Sequence, residues 1–153
     1  MTKDDIRAQL TAAGLDPDAI SGLIDAAIAE DLAGGVDVTT VATVPPEQLS
    51  QLDLVARAPG VVAGVPIAAL VFENVAASAG SPVDASQDRS DGDAVVAGDV
   101  LLSIRGRTRD LLTAERTALN LLCHLSGVAT ATAKWAVALS GRQTRVRDTR
   151  QTS

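Results

Sequence analysis

The chain reads as an α+β domain. Three observations predict this: helical periodicity near the start and in the last third, short alternating apolar runs between them, and glycine- and proline-marked turns separating the two. A length of 153 residues gives room for one domain and not two. Hydrophobic residues make up 46%, but Phe72 and Trp135 are the only aromatic ones, so the core must be built from Ala, Val, Leu and Ile.

Residues 3–13 and 18–32 read as two helices, with Gly14 and Asp16-Pro17 as punctuation and Pro17 near a helix start. Residues 34–50, carrying Gly34-Gly35, Asp37-Val38-Thr39-Thr40 and Pro45-Pro46, read as a loop. Residues 51–57 alternate, with Leu52, Leu54 and Ala56 on one side, and predict a strand. After the Pro59-Gly60 turn, Val61–Gly64 continues as a short strand. Residues 66–79 read as an alanine-rich helix with Ile67, Leu70, Val71 and Val75 inward. The polar stretch 80–93 reads as flexible, with one short strand near Val83. Asp91 to Leu102 forms a tight double turn, its glycines six residues apart, that leads into a strand at 100–106.

Residues 108–125 form the strongest helix. Leu111, Ala114, Ala118, Leu119, Leu122 and Leu125 share one face, and Arg109, Thr113, Arg116 and Asn120 share the opposite one. A second helix is expected over 127–140, with Ser126 as its cap, Gly141 as its stop and Trp135 packed on the first helix or across a subunit contact. Thr144–Thr149 reads as a strand. A helix followed by one strand and the end of the chain reads as the first unit of something larger.

Composition narrows the function. No stretch is apolar enough to span a membrane, the N-terminus lacks the basic-then-apolar order of a signal peptide, and the single Cys123 excludes an internal disulfide. These features point to a soluble cytoplasmic protein. Net charge is -6, yet residues 101–153 carry nine cations, eight of them arginine, against three acids. An arginine-rich end on an acidic body predicts an anion-binding surface. Nucleic acid fits poorly, because no aromatic stacking side chains interleave with the arginines. A small carboxylate or phosphate matches the planar guanidinium better. The hairpin at 91–102 also occurs in biotinyl and lipoyl carriers, but neither Lys3 nor Lys134 lies near it, so a carrier role fails on chemistry.

Individual residues also have plain structural readings. On spacing alone, Arg116 is an ordinary solvated helix arginine. Arg109 reads as structural, paired with Asp110 or Glu115, and Glu115 as one side of a supporting salt bridge. Cys123 reads as a small core residue, His124 as a lone histidine without a task, and Arg145 and Arg147 as strand residues. Asp37, Thr39 and Thr40 read as a turn closed by side-chain capping.

The run Leu111-Leu112-Thr113-Ala114-Glu115-Arg116-Thr117-Ala118-Leu119-Asn120-Leu121-Leu122, continued by Leu125-Ser126-Gly127-Val128-Ala129-Thr130, closely resembles the quinolinate phosphoribosyltransferase family. Glu30-Asp31-Leu32, Asp37-Val38-Thr39-Thr40, Ala63-Gly64 and Arg147-Asp148-Thr149-Arg150 are similar to further motifs of that family. The resemblance implies an enzyme of NAD biosynthesis. It would transfer phosphoribosyl from phosphoribosyl pyrophosphate to quinolinate, releasing pyrophosphate and carbon dioxide to give nicotinate mononucleotide. It implies an N-terminal α/β sandwich with a hammerhead-like hairpin over residues 1–141, and a first strand of an α/β barrel over 142–153. The rest of the barrel is expected to be missing. It implies a homodimer with sites shared between subunits, and Mg2+ accompanying the pyrophosphate with no metal site in this chain.

By resemblance Arg116 reaches the quinolinate carboxylates in the partner's site, Arg150 contacts quinolinate from the barrel strand, and Thr149 adds a hydrogen bond. Gln151 stands where the family carries a lysine, which removes a cation facing two anions. Without the barrel, the chain alone is expected to show no appreciable transferase activity. The alternative is a stand-alone, non-catalytic domain that dimerises or regulates.

Overall fold

The structure is a computed structural model that describes residues 1–33, 35, 37–142, 144 and 146. Its α+β character is as expected. Two short helices come first, α1 (Lys3–Ala12) and α2 (Pro17–Asp31). Thr2 and Asp5 form a reciprocal capping box at the start of α1, and Asp16 caps α2 with Pro17 in its first turn. A six-residue helix follows, α3 (Val38–Thr43), inside the stretch expected to be a loop. Asp37 caps it through the Thr40 backbone N–H, so the capping chemistry was read correctly but the turn continues into a helix.

The remaining elements are β1 (Leu49–Val55), β2 (Gly60–Val61), α4 (Val65–Ser78), β3 (Val83–Gln87), β4 (Ala94–Val95), β5 (Val100–Arg107) and α5 (Thr108–Ala138). β5 is the centre of an antiparallel sheet in the order β1-β5-β3, with Leu52 opposite Ile104 and Ala85 on the other side of the same residue. β2 and β4 make a separate two-stranded ribbon.

The helix α4 is the hub. Val65, Ala68, Ala69, Leu70, Val71 and Phe72 are all buried, because α4 packs against α1, α2, α5 and the sheet at once. A helix buried on every side loses its one-sided periodicity, so only Ile67, Leu70, Val71 and Val75 were expected inward, and of these Ile67 is only partly buried. Its N-terminus starts at Gly64, which has a φ of +93° and no capping side chain of its own. Asp91 supplies the cap from the hairpin: its carboxylate accepts from Gly64 N at 2.8 Å and Val65 N at 2.9 Å. The polar stretch expected to be flexible is therefore tied down at both β3 and Asp91.

Helix α5 corrects a second expectation. It runs unbroken through Ser126 and Gly127 instead of dividing there. Ser126 caps nothing; its hydroxyl exchanges hydrogen bonds with the backbone N and O of Ala63, at 3.1 and 3.2 Å. Thr130, one turn later, does the same with Val61 N and O. Cys123 is exposed and not a core residue, because it falls off the buried stripe of Leu111, Ala114, Ala118 and Leu122. Trp135 is 67% exposed, so it does not pack on the first part of the helix, which is the same continuous element. Nearly all of the strand expected at 144–149, with Arg145, Arg147, Thr149, Arg150 and Gln151, lies outside the described residues.

Candidate functional site

Three elements meet around the polar stripe of α5: the end of α2, the short α3 and the middle of α5. The two arginines of the stripe behave differently. Arg109 donates from Nε to Val44 O at 2.8 Å and from Nη2 to Val41 O at 3.0 Å. These carbonyls close the C-terminal end of α3, where the helix dipole favours a cation. Arg109 is thus structural, as expected, but its partners are backbone carbonyls and not Asp110 or Glu115.

Among the described residues Arg116 makes one hydrogen bond, from Nη1 to Asp31 Oδ1 at 3.0 Å, and its side chain is 73% exposed. One monodentate bond leaves most of the five guanidinium N–H donors facing solvent. Asp37 lies close enough for the Arg116 charge to act on it. The Thr40 hydroxyl and then the Thr40 backbone N–H hold its carboxyl below the usual carboxylate range, and Arg116 pulls weakly in the same direction. Asp31 and Asp37 both belong to the motifs picked out by sequence, and the fold gathers them around Arg116.

Beside this stripe, a groove of about 990 Å³ runs between β1, β2 and α5. Leu52, Leu54, Val62, Leu119 and Leu122 line it, with Glu115 and Lys134 among its polar groups. Glu115 makes none of the ion pairs found among the described residues, contrary to the supporting role expected of it. It points into this groove because it is turned about 100° from Arg116 around the helix. No group of three or more His, Cys, Asp or Glu able to hold a metal occurs among the described residues. No helix among them is long and apolar enough to cross a membrane.

Spacing missed two positions that shape the site. Ser126 and Thr130 bolt α5 to the β2 segment, and their separation of four residues was the available signal. The Asp31 contact had no local signal, since its partner lies 85 residues away.

The profile of the N-terminal domain of quinolinate phosphoribosyl transferase matches residues 37–126. The chain belongs to this family. A nicotinate-nucleotide pyrophosphorylase of Mycobacterium leprae is 44% identical over 88% of the chain, which spans 47% of that relative. A probable nicotinate-nucleotide pyrophosphorylase of Synechocystis is 41% identical over 65% of the chain. The crystal structure of NadC from Streptococcus pyogenes superposes with a TM-score of 0.82 at 37% identity, covering 91% of this chain and 48% of the other. The quinolinate phosphoribosyl transferase N-terminal fold is therefore present, and the chain spans about half the length of the Mycobacterium leprae and Streptococcus pyogenes proteins and about a third of the Synechocystis one.

Proposed function

We propose that this chain supplies the N-terminal half of a quinolinate phosphoribosyltransferase, with Arg116 gripping the carboxylates of quinolinate. The observation that carries the reading is the contrast within one helix stripe. Arg109 is consumed by α3 carbonyls, whereas Arg116 stands 73% exposed with a single hydrogen bond among the described residues.

Quinolinate is a dicarboxylate and phosphoribosyl pyrophosphate a polyanion, so a site that holds both must be rich in fixed cations. A guanidinium fork can take one carboxylate through two parallel N–H···O bonds. In this reading Arg116 reaches into the site of the second subunit of a homodimer, and Arg150 with Thr149 and Gln151 meets the same substrate from the following strand. Val128 and Trp135, two turns apart on α5, are 54% and 67% exposed and offer an apolar face for subunit packing. In this reading Mg2+ accompanies the pyrophosphate, and no step is routed through it. The product would be nicotinate mononucleotide, and the protein would work in the cytoplasm.

The test is a fusion of residues 1–142 to the remaining half of the Mycobacterium leprae relative. It should form nicotinate mononucleotide from quinolinate and phosphoribosyl pyrophosphate. Arg116→Ala should lower kcat/KM for quinolinate about 30-fold or more, since truncating one side of a buried charge pair costs ~2–5 kcal/mol. A folded, active fusion indifferent to Arg116→Ala would refute the assignment.

A further inference from the structure

Asp31 is part of a sequence motif, yet the proposed reaction leaves it without a task. It is the last residue of α2, at the negative end of the helix dipole, and no basic residue occupies that last turn. A carboxylate is disfavoured there unless a cation answers it from elsewhere. The answering cation is Arg116 on α5, 3.0 Å away. Asp31's side chain is 24% exposed against 73% for Arg116, so the acid is the better-fixed member of the pair. Asp37, whose carboxylate is held by Thr40, feels the Arg116 charge only weakly. With Asp31 paired to it, the charge of Arg116 is already answered, and in that state its pull on an anion is weakened.

We propose that Asp31 is a displaceable latch on Arg116 and sets the site's preference for dianions over monoanions. A monocarboxylate that replaced Asp31 would exchange one negative charge for another and gain little. A vicinal dicarboxylate brings a second negative charge to the guanidinium beyond the one it displaces, and so displaces the latch more readily. This inference rests on the reading of Arg116 as a substrate-binding group.

The experiment is a solution NMR titration of the whole chain at low salt. The probes are quinolinate, a dianion, and nicotinate, a monoanion. The signals followed are the Arg116 Nε–Hε group and the backbone amides of Asp31, Thr113 and Asn120. Asp31→Asn should tighten quinolinate binding about 2- to 5-fold, the span expected for release of an exposed ion pair. It should tighten nicotinate binding by more, narrowing the selectivity, and Asp31→Ala should act in the same direction. Unchanged or weaker binding in both variants, each with a dispersed native spectrum, would overturn the latch. Arg116→Ala separates the two ideas. If it abolishes the amide response, the Arg116 reading stands whatever Asp31 does; if it binds quinolinate like the wild type, that reading fails and the latch with it. No saturable response in either wild type or Asp31→Asn also overturns the latch.

Discussion

Gly64 shows at the scale of one residue why a motif is needed where it stands. Its φ of +93° suits glycine, and a Cβ added there would lie 2.6 Å from Leu125 Cδ1. Gly64→Ala should destabilise the fold by about 1–3 kcal/mol, combining left-handed backbone cost and overpacking, in a urea denaturation series. Asp91→Ala should cost about 1 kcal/mol by uncapping α4. The Ala63-Gly64 pair was legible as a family element, but the reason for it was not, because Leu125 and Asp91 are brought to it only by the fold. Glu73 adds a pH signature. Burial pushes its carboxyl up from the usual value, with Asp84 adding to the rise and Lys3 and the N-terminal ammonium opposing it. A raised folded-state value means that the ionised form is the disfavoured one in the native protein. Its cost is present above that value and disappears as pH falls through it. Glu73→Gln should therefore raise the melting temperature at pH 7, and the gain should vanish as pH falls below about 4.

Among the elements, α5 is the decisive one, and its amphipathic face was legible because 3.6-residue periodicity survives burial on one side. Its length was not. Ser126-Gly127 has the composition of a helix break, but Ser126 spends its hydroxyl on Ala63 and the helix carries on through both residues. Gly127 has open space where a Cβ would be. Gly127→Ala should then stabilise the protein by about 0.5–1 kcal/mol, read as a higher thermal midpoint. A loss of stability would show that the helix is interrupted there. Helix α3 escaped sequence reading for a different reason: six residues are too few for periodicity to show, and its place is secured by Arg109 from outside.

For the molecule as a whole, the charge map of the sequence bears on function through its arginine-rich end. The arginine-rich end pointed to an anion before any fold was known, and the structure then separates Arg109, tied to α3, from Arg116, facing solvent. Contacts such as Arg116 to Asp31 join elements far apart in sequence, and no local pattern encodes them. Thr149, Arg150 and Gln151 complete the proposed site only together with the half of the relatives that this chain does not span. The central claim is that Arg116 serves a site on the neighbouring subunit. It is tested most directly by mixing two strongly impaired versions of the fusion protein in equal amounts, one carrying Arg116→Ala and one defective only in the relative's half. Random exchange into dimers should restore about a quarter of wild-type turnover, since half the dimers are hybrid and each hybrid holds one intact site. No recovery in a mixture shown to contain hybrid dimers would contradict the account.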